Sequence, residues 1–267
     1  PMGEQLDDDG DSLESIEGCL TDAQYNRDEH RKAVIDDILD NWVSQSHNGK
    51  FHAILATSSI PEAIKYYKLF AQRDCGLKTT AVFDPSDGNN ESSIEKIDGI
   101  AQMLEDYNSL FGTCFNISGY ASFKRDVCAR LAHKTPYTAV ENEPSKCLDI
   151  LIVVDQMLTG YDSKWLNTLY MDKFYKWSNI EMIIQAFSRT NRVFNDDKPH
   201  GIIRYYRRPY TMKNIIEYAF EQYSGQKPYG IFVAKLIQNL ENMNAAFSDI
   251  NDIFKIAGIP DFFKTSR

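Results

Sequence analysis

LDILIVVD, residues 148–155, is the stretch that decides the fold class of this chain. Its centre is apolar at consecutive positions, from Ile150 to Val154. Strands covered by helices on both faces show such continuous runs, whereas strands with one solvent-exposed face alternate apolar and polar residues. The stretch therefore predicts a parallel strand inside an α/β domain.

Strand-like and helix-like segments alternate on either side of this strand. Further strands are predicted over 51–57, 77–84, 166–173 and 201–206. Helices are predicted over 22–43, 61–74, 94–111, 121–133 and 180–193, where apolar residues recur at three- and four-residue spacing. This alternation predicts a parallel sheet flanked by helices, and the helical pattern after residue 211 predicts a C-terminal helical extension.

Three regions are expected along the chain. Residues 1–20 are acidic and poor in apolar side chains, which predicts a flexible lead-in. Residues 21–210 are expected to form the α/β lobe, and residues 211–267 the start of a helical domain. Pro1 before Met2 is typical of a tag remnant, so we expect the chain to be a piece of a longer protein.

Composition excludes several classes of protein. The chain has no run of about 18 apolar residues that would span a membrane and no secretion signal at its start. Its five cysteines form no CxxC pair, and its histidines form no HExxH motif. A disulfide scaffold and a zinc hydrolase are therefore disfavoured, and a cytoplasmic location is expected.

The net charge of −9 is distributed unevenly. Residues 1–40 carry thirteen Asp and Glu against three Lys and Arg, whereas residues 160–215 carry ten Lys and Arg against five Asp and Glu. A basic segment in an acidic chain is compatible with phosphate binding. An ordinary solvated face is the alternative.

Polar residues follow two of the predicted strands. Thr57, Ser58 and Ser59 come after residues 51–56 of the first strand, and DQMLTGYD, residues 155–162, comes after the apolar residues of the central one. Ligands of open parallel sheets bind beyond the carboxyl ends of the strands. We therefore expect all these polar groups to lie on one rim of the sheet.

QAFSRTNR, residues 185–192, falls in the helix predicted over 180–193. Gln185, Arg189 and Arg192 are spaced i, i+4 and i+7, so they would share one polar stripe, with the apolar residues of the helix on the opposite side. The planar guanidinium fork matches phosphate oxygens. The alternative is a pair of ordinary surface arginines.

These two stretches resemble motifs V and VI of superfamily 2 helicases and translocases. Gly160 and Asp162 match the G-x-D of motif V, and QAFSRTNR matches Q-x-x-G-R-x-x-R. Ser188 replaces the glycine of motif VI, and Val154 stands where many members have threonine.

Longer stretches of the sequence resemble the motor, or R, subunit of type I restriction–modification enzymes, over roughly residues 30–260. The stretches that carry it are FHAILATSSIPEAIKYYKLF, LIVVDQMLTGYDSKWLNTLYMDK, IIQAFSRTNRVF and GIIRYYRRP. The resemblance implies a second RecA-like, P-loop NTPase-like motor lobe followed by a helical domain. It also implies an ATP-driven translocase of double-stranded DNA with a nuclease domain, assisted by methylation and specificity subunits.

The resemblance implies three sets of site residues. Those that act on the phosphates of ATP are Arg189 and Arg192. Those that contact the nucleotide are Gln185, Gly160 and Asp162. Those that touch the DNA backbone are Thr57, Ser58 and Thr159. ATP and Mg²⁺ would be held mainly by the first motor lobe, which is absent from this chain.

No G-x-x-x-x-G-K-[ST] phosphate loop and no acidic–Lys nuclease core occur in the sequence. We therefore expect this chain to be half of a motor, unable to hydrolyse ATP or cut DNA alone. Two alternatives remain open. One is the C-terminal lobe of another superfamily 2 helicase or remodeller, and the other is a non-catalytic α/β interaction module in which Arg189 and Arg192 are dispensable.

Overall fold

The computed structural model describes residues 17, 20–73, 75–83, 93–154, 161–176, 179–192, 194 and 197–223, and positions 243–245, 247, 248, 250 and 253–255. Two compact units can be distinguished. The first is Pro1–Ile216 and the second is Glu217–Arg267. The described residues of the second unit are helical, which agrees with the predicted C-terminal extension.

Five strands in the described residues of the first unit form one parallel sheet. They are β1 (His52–Thr57), β2 (Thr79–Val82), β3 (Ile150–Val153), β4 (Leu166–Asp172) and β5 (Ile202–Tyr205). Their order across the sheet is β2-β3-β1-β4-β5, and every pairing is parallel. All residues of β1, β3 and β4 are buried, as the continuous apolar runs predict. The predicted α/β parallel fold is therefore confirmed.

Helices connect and cover these strands. The described helices are α1 (Asp22–Tyr25), α2 (Asp28–Gln45), α3 (Ile60–Gln72), α4 (Ser93–Phe111), α5 (Tyr120–Leu131), α6 (Ile180–Ser188) and α7 (Pro209–Tyr223). At the start of α3 the Ser59 side chain accepts a hydrogen bond from the Glu62 amide, and Pro61 lies in the first turn. Both residues are typical of helix starts, which explains why this helix was predictable.

Two helix predictions need correction. The helix predicted over 22–43 is interrupted, because α1 ends at Tyr25 and α2 begins at Asp28. The helix predicted over 180–193 ends at Ser188, as α6. Beyond it Thr190 is buried against Gly201, where a Cβ atom would lie 2.3 Å from that of Thr190. This close approach requires the chain to turn away from the helix axis.

The strand β1 defines two ends of the sheet. His52 marks the amino end, where it pairs with Leu166 of β4, and Thr57 marks the carboxyl end, where it pairs with Asp172. Five steps of about 3.3 Å separate the two ends by about 16 Å. Because all strands are parallel, residues that precede a strand lie at the amino end and residues that follow one lie at the carboxyl end.

Candidate functional site at the two ends of the sheet

The two predicted motifs meet at the amino end of the sheet. Arg192 Nε lies 3.0 Å from Asp162 Oδ1, with the two side chains 54% and 58% exposed. Arg189 Nη1 donates a hydrogen bond to the Tyr161 carbonyl oxygen at 3.2 Å. Two segments far apart in the sequence therefore bring two guanidinium groups and a carboxylate together at a place that solvent can reach.

A buried hydrogen-bonded pair of side chains supports the backbone next to Asp162. The Tyr161 hydroxyl is hydrogen-bonded to His52 Nε2 at 3.0 Å, and both residues are buried. Burial, together with the charges of His133 and Lys198, lowers the pKa of His52 well below its usual value. A neutral His52 can therefore support Tyr161 at neutral pH without adding charge beneath the arginines.

Gln185 lies on α6 and is exposed. The Ser188 hydroxyl donates to the Gln185 carbonyl oxygen at 2.7 Å as the helix ends. Gln185 and Arg189 are one helical turn apart, but Arg192 lies beyond the helix, so the single helical stripe predicted for all three is wrong. Tertiary contacts, rather than helix periodicity, bring Arg192 to the site.

The single rim expected for all polar groups is also wrong. Thr57 and Ser58 lie at the carboxyl end, whereas Asp162 lies near the amino end, four residues before β4 begins. Thr57 is fully buried, and its hydroxyl donates to the Val153 carbonyl oxygen at 3.1 Å. Ser58 is exposed. Of these two hydroxyl groups, only that of Ser58 therefore belongs to an exposed residue.

Two of the predicted site residues, Thr159 and Gly160, lie outside the described residues. The predictions for them, a DNA contact and a nucleotide contact, therefore stay predictions.

An aromatic cluster also lies at the amino end of the sheet. The Trp165 ring packs at 4.6 Å from that of Phe194 and stacks at 3.9 Å on that of His133. The ammonium group of Lys164 lies 4.7 Å from the centre of the Phe194 ring, and that of Lys50 lies 5.3 Å from it. Sequence reasoning missed this cluster because its members come from separate loops that share no spacing.

A second cluster, the Asp172 network, lies at the carboxyl end. Asp172 is fully buried and accepts hydrogen bonds from Arg207 Nε and Nη2, both at 2.9 Å, and from the Tyr66 hydroxyl at 2.9 Å. His30 Nε2 lies 2.7 Å from Asp172 Oδ1. Burial alone raises the pKa of Asp172, but the hydrogen bonds and charges of His30 and Arg207 outweigh burial and lower it. This network fastens α2 and α3 to the ends of β4 and β5.

Among the described residues, no group of three or more His, Cys, Asp and Glu side chains could hold a metal ion. None of the helices among these residues is both long enough and apolar enough to cross a membrane.

Residues 49–208 match the family model for type I restriction enzyme subunit R domain 3. This range contains all five described strands and both segments of the amino-end site. The chain belongs to the type I restriction enzyme R subunit family. The resemblance to this family that was read from the sequence is therefore confirmed.

Curated R-subunit relatives are similar to most of this chain. The type I restriction enzyme SsaAORF53P endonuclease subunit of Staphylococcus saprophyticus is 32% identical over 208 residues, which cover 74% of this chain and 21% of that protein. The SauMRSORF196P endonuclease subunit of Staphylococcus aureus is 31% identical over 200 residues, covering 72% and 20%. The putative MjaIXP endonuclease subunit of Methanocaldococcus jannaschii is 30% identical over 125 residues, covering 46% and 11%. The chain thus spans about a fifth of the length of the Staphylococcus relatives.

Proposed function

We propose that this chain is the second motor lobe of a type I restriction enzyme R subunit, and that Arg189 and Arg192 act on the phosphates of ATP. The observation that carries the proposal is the meeting of Arg192 with Asp162, and of Arg189 with the Tyr161 carbonyl, at one exposed place. An arginine fork stabilises the charge that develops on a transferring phosphoryl group. The lobe would then complete a nucleotide site whose phosphate loop belongs to another part of the subunit.

The exposed donors fit an anionic ligand. ATP with Mg²⁺, when bound, supplies the phosphoryl group whose transfer drives the motor. The guanidinium of Arg192 is more than half exposed and contacts Asp162 through Nε. An exposed ion pair of this kind contributes only ~0–1 kcal/mol, so a phosphate can compete for the guanidinium at little cost. Asp162 would orient Arg192 before ATP arrives, and Gln185 would face the nucleotide from α6, one turn before Arg189.

The carboxyl end is the proposed DNA side. Ser58 is exposed there. The Thr57 hydroxyl donates a hydrogen bond to the Val153 carbonyl oxygen, and this bond fixes the turn that presents Ser58. Hydroxyl contacts to phosphates position a protein on DNA without reading its sequence, as a translocase requires. Thr159 would add a second backbone contact. The partners of the whole subunit would be double-stranded DNA, the first motor lobe, the nuclease domain, and the methylation and specificity subunits.

In this proposal the contacts to ATP and to DNA would lie about 16 Å apart, at opposite ends of the same strands. A rigid, buried sheet such as this one transmits a displacement at one end to the other, because packed cores resist deformation. A change in how the arginines engage phosphate would therefore move the DNA contact with them.

The test is DNA-stimulated ATP turnover by the full R subunit in its complex, with Arg189 or Arg192 replaced. Removing an arginine that stabilises phosphoryl transfer costs on the order of 10³-fold or more in kcat. We expect Arg192→Ala to show a loss of that order. Arg192→Lys should recover little of it, because an ammonium lacks the planar fork.

Arg125→Ala is the matched control. Arg125 is exposed on α5, and its guanidinium contacts Ser122 in the same helix. Its loss should leave turnover unchanged. Full turnover in both Arg189→Ala and Arg192→Ala would instead favour a non-catalytic interaction module.

A further inference from the structure

Lys198 is a charged residue buried beneath the amino-end site. It lies between α6 and β5, and only 1% of its surface is exposed. Its Nζ donates hydrogen bonds to the Arg192 carbonyl oxygen at 2.7 Å and to the Lys164 carbonyl oxygen at 3.2 Å. A buried ammonium is costly, so its retention at this place requires a reason.

The backbone of Lys198 is itself fixed. Lys198 and Phe194 form an antiparallel bridge, in which each amide donates to the carbonyl oxygen of the other at 3.1 Å. The Phe194 ring is packed against Trp165 at 4.6 Å and against Phe51 at 5.6 Å. The Lys198 backbone is therefore held in place, so that its side chain extends to the two acceptors from a fixed position.

The two acceptors belong to the two segments that carry the site. Lys164 lies two residues after Asp162, and the other acceptor is Arg192 itself. The direct pair between Asp162 and Arg192 is exposed, so that contact alone is too weak to hold the segments in register. Hydrogen bonds from a buried ammonium are stronger, because water does not compete for the carbonyl oxygens.

We infer that Lys198 is a positioning residue of the proposed ATP site, which fixes the Arg192 segment against the Asp162 segment so that the Arg192 guanidinium is presented at a constant place. The inference rests on the proposed function, since it assigns Lys198 a role only through Arg192. A misplacement of about 1 Å in a catalytic group can cost on the order of 100-fold in rate.

The test is a double-mutant cycle on DNA-stimulated ATP turnover by the full R subunit in its complex. The variants are Lys198→Met, Arg192→Ala and the two together, with kcat and the KM for ATP measured for each. We expect Lys198→Met to lower kcat by roughly 10- to 100-fold, with the larger effect on kcat rather than on KM. In the Arg192→Ala background the same change should cost little more, because its target is gone.

Lys32→Met is the control, since Lys32 is exposed on α2. It should leave both constants unchanged. Equal losses from Lys198→Met in the two backgrounds would overturn the inference alone, because they would indicate a general structural role. An unaltered kcat in Lys198→Met would do the same, whereas an unaltered kcat in Arg192→Ala would overturn the proposed function together with it.

Thermal unfolding of each complex shows whether the variants fold. If Lys198→Met does not give a folded complex, Lys198→Gln, which retains a hydrogen-bond donor, is put through the same cycle. The expectation is the same in direction, with a loss that disappears in the Arg192→Ala background. A loss that persists there would overturn the inference.

Discussion

The two ends of the sheet hold their aspartates in opposite ways. At the carboxyl end Asp172 is fully buried and contacts Arg207, Tyr66 and His30 at 2.7–2.9 Å. At the amino end Asp162 forms an ion pair with Arg192, and both side chains are more than half exposed. A buried, many-partner network resists rearrangement, whereas an exposed pair can exchange partners. The same residue type thus serves cohesion at one end and, in the proposed function, would allow ligand exchange at the other.

The largest predicted effect is on the Asp172 network. Asp172→Ala leaves Arg207 buried without its carboxylate, and breaking a buried pair in this way costs about 3–5 kcal/mol. Urea unfolding of this chain measures the change through the midpoint at constant slope. Asp162→Ala, the matched change at the amino end, should cost at most about 1 kcal/mol. Similar losses in the two variants would remove the contrast between the two ends.

A second prediction concerns the turn that carries Arg192. Gly201→Ala places a Cβ atom 2.3 Å from the Thr190 Cβ and 2.5 Å from the Thr190 carbonyl oxygen. Overpacking against backbone typically costs about 1–3 kcal/mol. Gly119→Ala is the control, because its nearest contact would be at 3.3 Å, with the Asn116 side chain. If the two alanine variants unfold at the same urea concentration, the close approach does not restrain the turn.

A third prediction concerns how the free energy of unfolding depends on pH through Lys198, which lies at the amino end. Burial lowers the pKa of Lys198 from 10.5 to about 8 in the folded chain. As pH rises through about 8, the folded state therefore releases this proton while the unfolded state keeps it until about 10.5. The unfolded state then binds more protons, so the contribution of Lys198 to stability rises with pH, by at most about 1.4 kcal/mol per pH unit.

Urea unfolding at several pH values above neutrality checks this sign. Lys198→Met should lack that rise. An identical pH profile in the two proteins would show that Lys198 does not titrate in this range.

The sheet was predictable because apolar runs are a local property. Within LDILIVVD, residues 148–155, the four residues that form β3 are all buried. Ser59 and Pro61 mark the start of α3 in the same local way. The pairing of Asp162 with Arg192 was not predicted, since nothing local to either residue specifies the other as its partner.

The end of α6 and the place of Asp162 were not predictable in the same way. Arg192 satisfies helical spacing, but the close packing of Thr190 on Gly201 overrides that spacing. The prediction assigned Asp162 to the carboxyl end of the sheet because it follows β3 in the sequence. In the structure Asp162 lies nine residues beyond β3 and only four before β4, near the amino end. The buried role of Lys198 leaves no pattern in the sequence, because its partners are carbonyl oxygens.

The most direct test of the two-end account measures ATP turnover and DNA affinity side by side in the full R subunit. Arg192→Ala should lose on the order of 10³-fold in turnover, while its DNA affinity measured without nucleotide is unchanged. Ser58→Asp, which brings a negative charge to the proposed DNA side, should weaken DNA binding and leave turnover at saturating DNA unchanged. If instead both variants impair both quantities to the same extent, or if Arg192→Ala retains full turnover, the account is contradicted.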